Sequence, residues 1–162
     1  MKSATPAMVA LDAASIHYVA HSFDHDVVTA SDVGYGKAAA AALGVEEGRV
    51  FKTLLARADS AFVVAIVPVN TTVSLKSLAA ALGVKRCEMA RPEDAQRVTG
   101  YVVGGISPFG QKKLLDTVID ESCAAHESIY VSGGRRGLDL EVSPHDLIAV
   151  LHARAASIAQ EG

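Results

Sequence analysis

The residue order predicts a mixed α/β fold, and three observations carry that expectation. Short β-rich runs and short helical segments interleave irregularly instead of in a strict strand–helix repeat. At least two pairs of runs are joined by tight turns, so antiparallel hairpins belong to the sheet and it should be mixed. Half of the 162 residues are apolar, yet no run approaches the ~18 residues of a membrane span. The length suits one domain, 1–162, and no linker, repeat or low-complexity segment divides it.

The elements follow from local chemistry. Thr5-Pro6 reads as N-cap and first helical residue of a helix through Leu11, and Ile16 to Phe23 as a strand. Ser31 or Asp32 can cap an alanine-rich helix that ends at Gly44. Val50 to Ala56 and Phe62 to Val67 form a hairpin around Asp59-Ser60. Leu75 to Leu82 is a helix stopped by Gly83, Val84 to Met89 a strand, and Pro92 to Val98 a helix stopped by Gly100. A short apolar strand then runs into Gly104-Gly105. Leu114 to Ile119 and Ser128 to Ser132 are further strands, and Gly133-Gly134 turns the chain back into Leu138 to Val142. Ser143-Pro144-His145-Asp146 caps a last helix whose apolar positions are Leu147, Val150, Leu151 and Ile158.

Composition narrows the function classes. A net charge of −3 weighs against broad, non-specific nucleic-acid binding, although local basic groups remain at Lys85-Arg86 with Arg91, at Lys112-Lys113 and at Arg135-Arg136. Cys87 and Cys123 lie far apart without a CxxC spacing, so neither a disulfide framework nor a zinc site is expected. The N-terminus lacks a charged-then-apolar leader, which predicts a cytoplasmic protein with no membrane contact.

The most informative stretch is Gly-Tyr-Val-Val-Gly-Gly-Ile-Ser-Pro-Phe-Gly-Gln-Lys-Lys at 100–113. Glycines let a backbone approach a ligand closely, Pro108 fixes a turn, and lysines follow where a phosphate or a developing oxyanion would need them. The same features also describe a plain connection with solvated lysines. Lys52 stands inside an apolar strand, where a bare buried ammonium would cost several kcal/mol. Period-two alternation places it with Val50 and Leu54, so it is held either at a solvent edge or at a site. Asp139 alternates out of phase with Leu138 and Leu140, as a solvated carboxylate or as a partner for Lys52 or a substrate amino group. Asp24-His25-Asp26 has no further His/Asp cluster at ligand spacing, so no metal or other cofactor is expected and His25 reads as a loop residue at a pocket mouth. No serine or cysteine stands out as a nucleophile. Ser107 lacks a GxSxG elbow, and Cys87 reads as a packing residue.

Five motifs together resemble the YbaK-type Cys-tRNA(Pro) deacylases, in order from about Thr5 to about Ala159. They are the 100–113 stretch, Phe51-Lys52-Thr53-Leu54-Leu55, His21-Ser22-Phe23-Asp24-His25-Asp26, Val84-Lys85-Arg86-Cys87-Glu88-Met89-Ala90, and Ile129 through Leu138. The resemblance implies a barrel-like mixed β-sheet packed by helices. It implies an editing pocket in which Lys52, Gly104 and Gly105 are catalytic and Phe23, His25, Thr53, Ile106, Ser107, Pro108, Lys112 and Asp139 bind substrate. The implied substrate is the acceptor end of an aminoacyl-tRNA, the implied partner a prolyl-tRNA synthetase complex. The implied reaction removes cysteine mischarged on tRNA(Pro), and also from tRNA(Cys), with the substrate thiol attacking its own ester. Two other readings stay open: an Ala-tRNA(Pro) deacylase using a positioned water, and a non-catalytic module that captures tRNA ends or docks on the synthetase. One departure stands out: many relatives carry tyrosine where this chain has Phe23.

Overall fold

A computed structural model describes residues 4–24 and 35–162. Helix α1 (Pro6–Ala13) starts as its capping residues require, with Thr5 Oγ1 accepting from the Met8 N–H. Strand β1 is Val19–Ser22 and helix α2 Tyr35–Leu43; the Ser31 or Asp32 cap expected for α2 lies outside the described residues. Strands β2 (Phe51–Ala58) and β3 (Ala61–Pro68) pair antiparallel from Phe51↔Pro68 to Ala58↔Ala61. That register leaves Asp59-Ser60 as the turn, with Asp59 at φ 55°. Strand β4 (Thr71–Val73) leads into helix α3 (Leu75–Leu82), closed by Gly83 in the left-handed region. Strand β5 (Cys87–Met89), helix α4 (Pro92–Thr99) and strand β6 (Thr117–Asp120) follow. Strands β7 (Ile129–Arg135) and β8 (Leu138–Val142), helix α5 (Pro144–Leu151) and strands β9 (Arg154–Ala156) and β10 (Ala159–Glu161) complete the described chain.

The principal sheet has the order β5-β2-β3-β6-β9 and is mixed, with β3–β6 and β6–β9 parallel and the β2 pairings antiparallel. A second sheet, β1-β8-β7, is antiparallel, and β10 pairs with β4. A parallel bridge between Val50 and Tyr130 joins the principal sheet to the second. The expected mixed α/β fold is therefore present, while the described strands show no closed barrel. Both faces of the principal sheet are covered. Phe51, Ile66 and Ile119 meet Leu11, Ile129, Leu140 and Leu147 on one side, and Val63, Val67 and Val118 meet Leu78 and Ile158 on the other. That explains why β3 is buried along nearly its whole length instead of alternating.

Four local expectations are corrected. The last helix stops at Leu151, where His152 takes φ 52°, so Ile158 fills the core from the segment between β9 and β10. Gly133-Gly134 is a bulge within β7 and not the hairpin turn, because the register shifts between Ser132 and Arg135 and the reversal comes at Arg136-Gly137. The apolar run Tyr101-Val102-Val103 is no strand: Gly105 N–H bonds back to Val102 O at 2.9 Å, a turn that leaves both valines exposed. The strands expected over 84–89 and 114–119 shorten to Cys87–Met89 and Thr117–Asp120.

Candidate active site

The site lies where the principal sheet runs out of partners. Strand β5 pairs only with Ala56–Ala58, and the last bond on that edge runs from Ala90 N–H to Leu55 O at 3.0 Å. Between there and the bridge at Val50 no described strand pairs with the edge of β2 opposite β3. A cleft of about 820 Å³ opens along that edge. Its walls include Val50 and β2 from Phe51 to Leu55, the first turn of α2, Ala90 to Ala95 in part, the glycine loop at Val103, Gly104 and Ile106, and Ser132 and Asp139 from β7 and β8.

Three polar groups in this cleft have no partner among the described residues. Asp139 is the sharpest. It pairs in register with Ser132 and sits on the face of β8 opposite Leu138 and Leu140. The sheet geometry expected from alternation holds, but that face is covered and Asp139 is only 5% exposed. Burial pushes its carboxyl up to about 7, with no neighbouring donor to offset it. Lys52 is half-buried; burial first, and then the ammonium of Lys37, hold its pKa below the ordinary lysine value. It forms no ion pair with Asp139. Thr53 Oγ1, on the more buried face of β2, is the third: enclosed and without a hydrogen bond. A buried hydroxyl left unpaired costs ~1–3 kcal/mol, which a ligand atom can recover.

The glycine loop is held in place from outside the cleft. Arg136 Nε and Nη2 both donate to Val103 O, at 3.1 and 2.9 Å, and the guanidinium lies over the Tyr35 ring. Gly104 has φ 91°, and a Cβ there would meet Arg136 Nε at 2.5 Å, so only glycine fits beneath this strap. From below, Tyr101 OH donates to Phe109 O at 2.6 Å, and Ser107 Oγ accepts from Phe109 N–H at 3.2 Å.

Of the residues singled out in the sequence, the cleft gathers Lys52, Thr53, Gly104, Ile106 and Asp139. Gly105 lies behind it. Its N–H is spent on Val102 O, and a Cβ would sit 2.8 Å from Arg135 Cα, so it packs the loop on β7 and is not a free donor. Ser107 is fully buried and Pro108 is buried with it, both inside the loop. Lys112 points away, its Nζ donating to Arg97 O at 3.1 Å, where it caps the C-terminal carbonyls of α4. Phe23 stands one ring back, 6.4 Å between centroids from Tyr35, and Tyr35 is the aromatic in the cleft wall. The Tyr35 hydroxyl accepts from Gly137 N–H at 2.6 Å. His25 lies outside the described residues, as does Asp26. Among the described residues no group of three or more His, Cys, Asp or Glu gathers as a metal ligand set. Cys87 and Cys123 are buried away from the cleft, with burial pushing both thiols up. The sequence reading missed Tyr35, Lys37 and Ser132, whose only signal is tertiary.

The profile of the aminoacyl-tRNA editing domain matches residues 31–150, most of the chain and all of the cleft walls just described up to that point. The chain belongs to the aminoacyl-tRNA editing domain family. A relative from Enterococcus faecalis, provisionally named a Cys-tRNA(Pro)/Cys-tRNA(Cys) deacylase, EbsC, is 39% identical over 120 residues, 74% of this chain and 73% of that protein. A proline–tRNA ligase from Thermosipho melanesiensis is 30% identical over 94 residues, 58% of this chain but only 16% of the ligase. The crystal structure of a protein provisionally described as a trans-editing enzyme for prolyl-tRNA synthetase superposes with TM-score 0.80 at 22% identity, covering 96% of this chain and 95% of that one. That likeness establishes the editing-domain fold over nearly the whole chain. No helix among the described residues is long and apolar enough to cross a membrane.

Proposed function

We propose that this protein is a trans-editing deacylase that removes cysteine from mischarged tRNA(Pro), and from tRNA(Cys), acting in the cytoplasm on the acceptor end of the aminoacyl-tRNA. The observation that carries the reading is Asp139: a buried carboxylate without a partner among the described residues, in the cleft of an editing-family fold. An aminoacyl ester brings the α-ammonium that Asp139 lacks. Lys52 supplies positive charge for the oxyanion that develops on the ester carbonyl, Gly104 allows the backbone to approach it, and Thr53 Oγ1 offers a hydrogen bond to the terminal ribose. The pull toward EbsC favours cysteine as the amino acid.

No protein nucleophile is needed for this substrate. A cysteinyl thiol has a pKa near ~8.5, so a few per cent is thiolate at neutral pH. In the proposed step the thiol gives up its proton, its sulfur bonds to the ester carbonyl carbon, and the C–O bond to the ribose breaks. The ribose oxygen takes a proton and a cyclic thiolactone leaves, which water then opens. Effective molarities of ~10⁵ M or more are available to a well-oriented intramolecular attack. A size filter alone would separate one-atom differences by only ~1–3 kcal/mol. The enclosed Cys87 and Cys123 support a substrate-borne thiol over a protein-borne one. With a net charge of −3, tRNA affinity is expected to draw on a prolyl-tRNA synthetase partner. The test is parallel deacylation of Cys-, Ala-, Ser- and Pro-tRNA(Pro), with an S-methylcysteinyl ester as control. Selective turnover of the cysteinyl ester, lost on S-methylation, is the expected result. Rapid hydrolysis of the alanyl or S-methyl substrate would replace the thiol step with a positioned water.

A further inference from the structure

The turn that carries Gly104 has one amide left over. Gly105 N–H closes the turn on Val102 O. Gly104 in third place has φ 91° and Val103 before it keeps a negative φ, the signature of a type II turn. The other polar groups at its centre are taken. Gln96 Oε1 accepts from Val103 N–H at 3.0 Å, and Val103 O accepts from both Arg136 nitrogens. Gly104 N–H has no acceptor among the described residues, and Gly104 lines the cleft while Arg136 does not. The peptide between Val103 and Gly104 is planar and trans, so its C=O and N–H point in opposite directions. A carbonyl drawn outward to Arg136 therefore turns the Gly104 N–H inward. Types I and II differ by a half-turn of this one peptide; in type I the carbonyl would face the cleft and the N–H would leave it.

Arg136 reaches this carbonyl from a firm base. It stands at the β7–β8 reversal with its guanidinium 5.9 Å from the centroid of the Tyr35 ring, and Tyr35 OH accepts from the neighbouring Gly137 N–H. Two bonds from one rigid guanidinium to one oxygen fix a direction that a single contact leaves free. They also place positive charge on the carbonyl side, which polarises the peptide and makes its N–H a better donor. The Arg136 side chain is exposed, so these contacts add little to the stability of the fold; what they fix is an orientation. We propose that Arg136 is a positioning residue for the reaction: it locks the 103–104 peptide so that Gly104 N–H donates to the oxyanion forming on the ester carbonyl. The inference rests on the deacylase reading for the oxyanion, but not for the orientation of the peptide.

The test uses the full chain and two variants. Arg136→Met keeps an unbranched side chain over Tyr35 without a donor, and Arg136→Lys restores the charge with a single contact. With the cysteinyl-tRNA substrate, Arg136→Met should lower kcat about tenfold and leave KM and the melting temperature unchanged. That is less than the ~10²–10³-fold loss on removing an oxyanion donor outright, because Gly104 in third place already favours type II. Arg136→Lys should recover part of the rate. A second arm needs no turnover: NMR of the Gly104 amide during titration with 3′-cysteinylamido-3′-deoxyadenosine, the amide isostere of the substrate terminus. The Gly104 proton should move downfield in the parent as the ligand carbonyl takes its hydrogen bond. The movement should largely disappear in Arg136→Met and return in part in Arg136→Lys, which a merely structural role would not give. An unchanged kcat in Arg136→Met, a loss carried by KM or by unfolding, or a Gly104 movement as large in Arg136→Met as in the parent would each overturn the proposal. So would the lack of any Gly104 movement in the parent. An Arg136-dependent movement in a protein that turns over no aminoacyl-tRNA would instead remove the deacylase reading and leave the positioned donor standing.

Discussion

Asp139→Asn should make the protein more stable and less active at once. In the absence of substrate, Asp139 is an acid only 5% exposed whose carboxyl is pushed up to about 7 by burial alone. An ordinary aspartate titrates near ~3.9, so the gap corresponds to about 4 kcal/mol against the ionised form. The sign follows from proton counting. Between pH ~4 and about 7 the folded chain holds this proton and the unfolded chain has lost it, so stability falls as pH rises through that window and stays low above it. The isosteric amide removes the ionisation but keeps a polar group that still wants partners, so only part of the penalty is recovered. About 2 kcal/mol is then the realistic gain at pH 8, or ~6 °C in Tm for a chain of this size. At pH 5, where the parent carboxyl is already neutral in the fold, most of the gain should vanish. Thermal melts of the two proteins at pH 5 and pH 8 measure this directly. Deacylation should fall by ~10²-fold or more in the variant, since the α-ammonium loses its counter-charge in a buried site. An equal stability change at both pH values, or an unstabilised variant at pH 8, would refute the unpaired buried carboxylate. Full turnover by the variant would refute its role with substrate.

The other expectations are more local. Lys52→Ala should keep the fold, because the half-buried ammonium is disfavoured there, and lower deacylation at least ~10²-fold by single-turnover assay. Asp120→Ala should cost ~3 kcal/mol in denaturant melts, because Oδ1 accepts from the Ile158 and Ala159 N–H groups at 3.0 and 2.8 Å and both would be left unpaired. Although burial pushes that carboxyl up, its hydrogen bonds from Ser122, Ala159 and Ile158 win and hold it low. Its contribution is therefore present above pH ~4 and lost only as the pH falls below that. Gly105→Ala should destabilise by ~1–3 kcal/mol and slow turnover, because the added Cβ would meet the Arg135 backbone at 2.8 Å and push the loop off β7.

What was legible in the residue order is what local chemistry decides. Leu75–Leu82 ends where Gly83 was expected to stop it, with the glycine at φ 69°, and the structure adds a cap at the other end, where the Ser74 hydroxyl accepts from Ser77 N–H. The β2–β3 hairpin follows from two apolar runs around Asp59-Ser60. Lys52 was visible as a charge at odds with its strand and Asp139 as a carboxylate that was either solvated or a partner for Lys52 or substrate, and the cleft holds both. Tertiary packing decided the rest. Ile158 has helical spacing from Leu151, but Asp120 captures its backbone N–H and the residue lies in the connection between β9 and β10 instead. Gly133-Gly134 looks like a turn because glycine pairs usually are; a Cβ on Gly133 would strike Leu138 Cγ at 2.6 Å, and the pair serves a bulge. Lys112 follows a loop that suggests phosphate, yet the nearest demand for a donor is the open end of α4. Lys37 gave no signal, because Lys52 is distant in sequence and only the packing of α2 on Val69 brings the two together.

The cleft concentrates groups that the rest of the fold must hold against their preference. A carboxylate and a hydroxyl are each desolvated without a partner among the described residues, at a cost of order 1–4 kcal/mol apiece, and a half-buried ammonium shares the cleft with them. That total is comparable to the whole stability of an ordinary domain, ~5–15 kcal/mol, so the surrounding contacts cannot be loose. They are not: the walls are anchored by the doubly covered principal sheet, by Arg136 bonded twice to one carbonyl, and by Tyr101 tied to Phe109 across the loop. A protein that only clasped a tRNA end could meet the same polar groups on an exposed surface at little cost. Keeping them unpaired inside a stiff cleft makes sense when a ligand supplies the missing charges in one orientation, as the proposed attack of a substrate thiol on its own ester would require.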